Sequence, residues 1–273
     1  MTKARMRFTI LGCGASPGVP RIGNDWGACD PNEPRNRRLR SSLMVERIGE
    51  GGITRIIVDT GPDFREQVLR ANVATTDAVL YTHAHADHIH GIDELRQFFY
   101  NAGHRVPAYS DAATSARLMQ AFGYCFETPP GSGYPPIVVD HRVEPGVPFV
   151  IEGKGGAIEV MPYAQVHGDI ESIGYRFGGV AYSSDVSAIP DQTWPLIEGV
   201  SVFIVDALRY KPHVSHFSLD EAIEAGRRLG VELLVLTHMH HDLDYLTLLS
   251  RVPEGVVPAY DGLVIEDGKV AKG

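Results

Sequence analysis

The sequence predicts an α/β fold in which two sheets pack face to face with helices outside. Two observations predict it. Strand-like apolar runs fall in two blocks, and each block is accompanied by stretches with helical periodicity. The 273 residues give ample core for one large domain or two small ones. No repeat, low-complexity run or linker divides them, so a single domain over residues 1–273 is expected.

Residues 6–11 read as a first strand entering a glycine-rich turn, residues 12–18. An irregular stretch rich in Pro, Asn and Arg follows to about Arg40, and its arginines (Arg35, Arg37, Arg38, Arg40) read as a solvated, salt-bridged loop. Residues 42–47 and 55–59 are strands joined by a glycine turn, which is a hairpin signal. Pro62 stands where a helix would begin, ahead of Phe64, Val68 and Leu69 at helical spacing. Residues 78–82 form an apolar strand. Ile92, Leu95, Phe98 and Phe99 mark an amphipathic helix, residues 111–122 another, and residues 123–133 a loop. Residues 137–182 read mostly as strand, and 200–206 as a buried strand. Ser218 and Glu221 form a capping box for a helix stopped by Gly230, and residues 232–237 are the next strand. Residues 256–270 hold one or two strands more.

A net charge of −9 argues against a broad basic face, so no nucleic-acid partner is expected. The three cysteines, Cys13, Cys29 and Cys125, are odd in number and far apart, which implies no disulfide framework and fits a reducing compartment. The N-terminal seven residues are basic, but the apolar residues 8–11 are too few for a signal-peptide core. No segment is long enough to span a bilayer. The expectation is a cytoplasmic protein without membrane contact.

Residues 83–88 read His83-Ala84-His85-Ala86-Asp87-His88, four strong metal ligands directly after an apolar strand. In extended backbone His83 and His85 share one side, while Asp87 and His88 follow as the chain turns and can address a second point nearby. Other apolar runs also end in ligand types: His167, Asp185, His238 and Asp59 each close one. His90, His104 and His141 read as packing or surface residues.

This set resembles the metallo-β-lactamase superfamily, whose signature matches residues 83–88 and whose later ligand motifs match His167, Asp185 and His238 in order and approximate spacing. The resemblance implies a four-layer αββα sandwich with a dinuclear site at one edge of the paired sheets. By it, His83, His85 and His167 hold one metal, Asp87, His88 and His238 hold the other, and Asp185 bridges them. Asp87 also counts as catalytic, and Asp59 matches an aspartate that supports the ligand loop. Two divalent ions are the implied cofactors. Ligation by imidazole and carboxylate suits zinc and permits manganese or iron. Such a pair polarises an oxygen and acidifies a bridging water enough to supply hydroxide near neutral pH.

Two features point to phosphate esters. Residues 11–20 resemble the opening of the branch holding the tRNA 3′-processing ribonucleases and the PhnP-type cyclic phosphodiesterases. Glycines there would leave free amides near an anion, or simply form a tight turn. His216, two residues before the capped helix, matches the general acid of that branch. The adjacent helix N-terminus would favour a phosphate oxygen. His213 is a further candidate for substrate binding, and Arg96 and Arg209 are weaker ones. Residues 91–96 and 236–241 also look most like the PhnP type. Members of that group can carry a structural zinc on three cysteines and a histidine. The matching positions here are Asn24, Trp26, Cys29 and His241, so no structural zinc is expected. The implied activity is a phosphodiesterase acting on a small cyclic or nucleotide-like phosphodiester, with a homodimer allowed. A thioester- or lactone-type hydrolase, and a nucleotide-binding metalloprotein without turnover, remain alternatives.

Overall fold

The computed structural model describes residues 4–271, so part of the basic N-terminal stretch lies outside the described residues. Among those described, fifteen strands form two sheets. The first sheet takes β1 (Arg5–Gly12), β2 (Ser42–Gly49), β3 (Gly52–Val58), β4 (Ala78–Leu80), β5 (Val106–Ser110) and β6 (Val138–Arg142). The second takes β7 (Phe149–Ile151), β8 (Ile158–His167), β9 (Ile170–Phe177), β10 (Val180–Ser183), β11 (Val202–Asp206), β12 (Leu233–Thr237) and β13 (Val256–Pro258). The chain then returns, and β14 (Val264–Glu266) and β15 (Lys269–Val270) extend the first sheet beyond β1. The tail therefore holds three strands rather than one or two, split between the sheets.

Period-2 alternation makes the layers. Leu43, Val45, Ile56, Val58 and Leu80 join Tyr163, Tyr175 and Ile204 of the other sheet in one apolar core. Their neighbours Met44, Ile57 and Val79 pack instead with Phe64, Val68, Leu95, Phe98 and Leu118. Those residues belong to α1 (Phe64–Arg70), α3 (Leu95–Ala102) and α4 (Ala112–Phe126), which cover the outer face, while α2 (Ala86–Ile89) carries part of the ligand motif. On the second sheet a short α5 (Trp194–Ile197) precedes α6 (Leu219–Leu229), which lies over β11 and β12, and α7 (Tyr245–Leu249) follows. The capping box of Ser218 and Glu221 is formed, and Gly230 ends α6 at φ 65°. Helix α4 runs past residue 122 because Cys125 and Phe126 are buried against the sheet; Phe122 marks a kink at φ −133°, and the loop starts only at Glu127.

Strands β3 to β6 are parallel, as are β10 to β13. Parallel strands place their carboxyl ends on one edge of each sheet, where α/β folds gather their functional groups.

Of the two readings of the glycine-rich opening the tight turn is the one observed, and the solvated reading of the arginine stretch is corrected at Arg38. The glycine-rich turn has few spare amides: those of Cys13, Gly14, Ala15 and Gly18 go to Asp261 Oδ1, Leu39 O, Met239 O and Ala15 O at 3.2, 2.7, 3.2 and 2.7 Å. A Cβ at Gly12 would lie 2.1 Å from the Arg40 carbonyl oxygen, so glycine is required there by backbone approach. The turn is a clasp between segments. Arg35 and Arg40 pair with Glu33 and Asp63 as expected, but Arg38 is 1% exposed. Its guanidinium donates to His240 O at 2.9 Å, to Leu243 O and to Asn36 Oδ1. Those carbonyls sit in a buried turn with no strand to pair with, and a five-donor fork can satisfy several at once.

Arg38→Ala would strand these carbonyls. A loss of about 3 kcal/mol is expected, read as a fall of roughly 6–12 °C in the thermal unfolding midpoint.

Candidate metal centre

Ligand-type side chains leave the carboxyl ends of β4, β8, β10 and β12 and meet over the edge of the sandwich. His83, His85, His167 and Asp185 form one group and Asp87, His88, Asp185 and His238 another, the donor atoms of each lying within 4.8 Å of one another. In the first, His85 Nδ1 stands 2.9 Å from His83 Nε2 and 3.2 Å from His167 Nε2, and Asp185 Oδ2 is 3.8 and 3.7 Å from the latter two nitrogens. In the second, His88 Nε2 lies 3.3 Å from Asp87 Oδ2 and 3.1 Å from Asp185 Oδ1, while His238 Nδ1 lies 3.0 Å from Asp185 Oδ1. Asp185 therefore turns one oxygen to each group. All seven residues named from the sequence as ligands come together.

Three rings are oriented from behind. Asp59 Oδ2 accepts the Nδ1–H of His88 at 2.7 Å. The same carboxylate accepts Thr82 N–H and Oγ1–H, both at 2.8 Å. With its hydrogen spent, Thr82 Oγ1 accepts from His83 Nδ1 at 3.0 Å. His167 Nδ1–H donates to Ser215 O at 2.6 Å. Each ring thereby turns its Nε2 toward the centre. Asp59 stands where the resemblance placed it.

Local backbone is bent to reach this geometry. Asp59, Asp185 and His238 have φ of 63°, 52° and 53°, a left-handed conformation uncommon outside glycine. Each follows a strand directly or one residue on, so the strained turn sends the side chain across the edge instead of along the strand.

Electrostatics favour a cation. Burial pushes the Asp185 carboxyl up, but the imidazoles of His238 and His88 together outweigh it and hold it well below the usual range. Burial opposes a charge on His88, yet Asp185, Asp87 and Asp59 raise it well above an ordinary imidazole. His88 Nε2, His238 Nε2 and Asp87 Oδ2 are buried without a hydrogen-bond partner. Imidazole nitrogens beside carboxylate oxygens, His238 through its Nδ1, with no thiolate, are a donor set that fits divalent cations.

His216 sits beside this set. Its ring stacks on His238 at 4.9 Å and meets His167 edge-on at 4.7 Å. Its Nδ1–H donates to Asp206 Oδ2 at 2.7 Å, and burial holds its pKa below the ordinary value. Asp206 was missed from sequence. It closes β11 just as Asp59 follows β3, and that shared position was the available signal. Phe217 N donates to Val186 O, and Phe217 O accepts from Leu208 N, which fixes the loop. His213 is half-buried at 5.3 Å ring distance from His216, with Ser215 N donating to its Nδ1. The helix N-terminus is corrected: Ser218 N and Leu219 N donate to Glu221 Oε2 and Arg209 O, and Asp220 and Glu221 fill the first turn, so it repels an anion. Arg96 and Arg209 are engaged with Asp93 and with the Lys211 and Pro212 carbonyls. His90 packs edge-on against Phe122, and His141 stacks on Tyr109. Cys29 directs its thiol to the carbonyls of His241 and Leu243.

Asp59→Asn is expected to weaken metal binding about 10–100-fold, because one amide cannot accept three hydrogens as the carboxylate does. Competition against a chelator of known affinity measures this.

Comparison with known proteins follows the same line. The model of the beta-lactamase superfamily domain matches residues 54–239. A crystal structure of a diphosphatase from the PhnP family is 38% identical, with a TM-score of 0.85 over 96% of this chain and 97% of that one. An octanoyltransferase of Porphyromonas gingivalis is 32% identical over 94% of this chain, which spans only 51% of that protein's length. A ribonuclease Z of Methanopyrus kandleri is 25% identical over 85% of this chain and 93% of its own. The αββα architecture, the convergent histidines and aspartates and the matched residues together establish that this chain belongs to the metallo-β-lactamase superfamily, a metal-dependent hydrolase with a PhnP-like pattern.

Proposed function

We propose that this chain is a phosphodiesterase that uses two divalent metals, zinc first and manganese as the alternative, on a small cyclic or nucleotide-like phosphodiester. The observation that carries the reading is the His216–Asp206 pair at 2.7 Å, set against the ligand histidines. An alkoxide leaving from phosphorus is a strong base and needs a proton, whereas hydrolysis of a thioester does not demand one. In the proposal His83, His85, His167 and Asp185 hold one ion, and Asp87, His88, His238 and Asp185 hold the second. When bound, the metals would neutralise charge on the phosphoryl oxygens and make water a stronger acid.

The chain's own groups have separate tasks. Asp206 accepts the Nδ1–H of His216 and so leaves Nε2 as the atom that carries a proton to the leaving oxygen. Asp87 offers its unpartnered oxygen to a water in the centre, orienting it for attack on phosphorus. His213, with Nδ1 occupied by Ser215, can donate its Nε2–H to a phosphate oxygen. The relatives named diphosphatase and ribonuclease Z support phosphorus–oxygen chemistry. The net charge of −9 supports a small substrate over a long nucleic acid. One observation favours an acyl substrate instead, the relative named octanoyltransferase. A panel of phosphodiesters and thioesters separates the two readings: turnover of thioesters alone would reject the first.

Chelation should abolish hydrolysis of bis(p-nitrophenyl) phosphate, and Zn²⁺ or Mn²⁺ should restore it. His216→Ala should lower kcat about 10²–10⁴-fold on a diester with an alkoxide leaving group, and far less on bis(p-nitrophenyl) phosphate. An equal loss on both would remove the acid role. Asp206→Asn should show the same dependence on leaving group with a smaller drop, which a merely structural role would not produce.

A further inference from the structure

We infer that Gln165 and Ser172 are positioning residues for Asp185, the carboxylate shared by both metal groups, and that they act through its main-chain carbonyl. The inference rests on the proposed reading in which two ions share that side chain. Ladder pairing of β10 ends at Ser183, and Asp185 follows in the left-handed region at φ 52°. Side chains take the next two carbonyls. Gln165 Nε2 donates to Ser184 O at 2.6 Å, and Ser172 Oγ donates to Asp185 O at 2.9 Å. The same Ser172 oxygen accepts a Gln165 N–H at 3.1 Å. Ser172 thus relays between an amide and a backbone oxygen, as Thr82 relays between His83 and Asp59.

Position in the sheet explains the choice of residues. Gln165 and Ser172 face each other across β8 and β9, and both are fully buried. Alternation puts Tyr163, Gln165 and His167 on one face of β8, so Gln165 stands between the apolar core and a candidate ligand. An apolar pair would fill that space without desolvating polar atoms, and Gln165 Oε1 is buried there with no partner. What offsets this cost is the pair of carbonyls that the two donors satisfy.

The peptide that joins Asp185 to Val186 is pinned at both ends. Its oxygen accepts from Ser172, and its N–H donates to Asp206 Oδ2 at 3.1 Å. Asp206 is also the partner of His216. One peptide plane therefore fixes the shared carboxylate and ties it to the His216–Asp206 pair. Asp185 turns one oxygen to each metal group, so a tilt of that plane displaces donors of both.

The test is zinc affinity, measured by competition against a chelator of known affinity. Ser172→Ala should weaken both zinc ions alike, each by about 10-fold or more. Thr54→Ala removes an equally buried hydroxyl, bonded to Gly156 O near the amino end of β3 and away from the site, and should leave both affinities unchanged. In metal-free protein the Val186 amide should exchange its hydrogen about 5-fold faster in Ser172→Ala than in the wild type. Unchanged affinities or an unchanged exchange rate in Ser172→Ala, a loss confined to one ion, or an equal loss in Thr54→Ala would overturn the inference. Should Ser172→Ala not fold, Gln165→Leu replaces it under the same expectations. A wild type that binds no zinc pair would sink the paired-centre reading and this inference with it. A wild type that binds the pair, beside a variant that binds it equally well, sinks this inference alone.

Discussion

Two carboxylates and five imidazoles face one another at the sandwich edge, and all but His85 are buried. Water cannot solvate these groups there, and at an effective dielectric of about 20 two unit charges 3 Å apart interact by about 5 kcal/mol. Asp185 and Asp87 are tolerable only with positive charge between or beside them. Much of the surrounding structure follows from supplying and orienting that charge. Asp59 and Thr82 form a relay that ties two rings at once, and Ser215 O ties a third. Left-handed backbone at Asp59, Asp185 and His238 costs on the order of 1 kcal/mol each, an expense the fold sustains only because the chain must reverse at those points to aim the donors inward.

The convergence of the candidate ligands was legible in the sequence because strands translate into geometry simply. An apolar run that ends in His or Asp places that side chain at a sheet edge, and parallel strands bring several such edges together. Asp206 obeys the same rule and was passed over, because its partner lies ten positions on in a loop and nothing local pairs them. The choice between cradle and turn at the glycine-rich opening, the role of the helix N-terminus at Ser218 and the burial of Arg38 were not legible in the sequence for one shared reason. The amides and the guanidinium concerned are committed within the chain: to Leu39, Met239 and Asp261, to Glu221 and Arg209, and to His240 and Leu243. Backbone accounting of this kind requires three dimensions. Helix α4 overran its expected end because burial of Cys125 and Phe126 outweighed the glycine at 123.

The capping box also bears on chemistry. It satisfies the first turn of α6 internally and places Asp220 and Glu221 there, which withdraws that helix end from anion binding. Under the proposed phosphodiesterase reading, recognition of a phosphoryl group would then fall on the centre itself and on the imidazoles above it. On that reading the site would respond to charge at phosphorus and the basicity of the departing oxygen more than to the body of the substrate.

The turn after β12 links these themes. His238 opens it in a left-handed conformation and enters the paired centre, and Met239 bridges to Gly14 on the opening segment. His240 and Leu243 give their carbonyls to buried Arg38, and Asp244 caps α7 while accepting from Asn36. Five consecutive or near-consecutive residues thus join the ligand strand to the region between residues 14 and 38. Rigidity in that turn is what keeps His238 aimed at Asp185, since its own conformation is strained and would relax if the carbonyls behind it were released. The clasp of the opening segment, for which the sequence allowed either an anion cradle or a tight turn, therefore bears on the candidate metal centre through the backbone that carries His238.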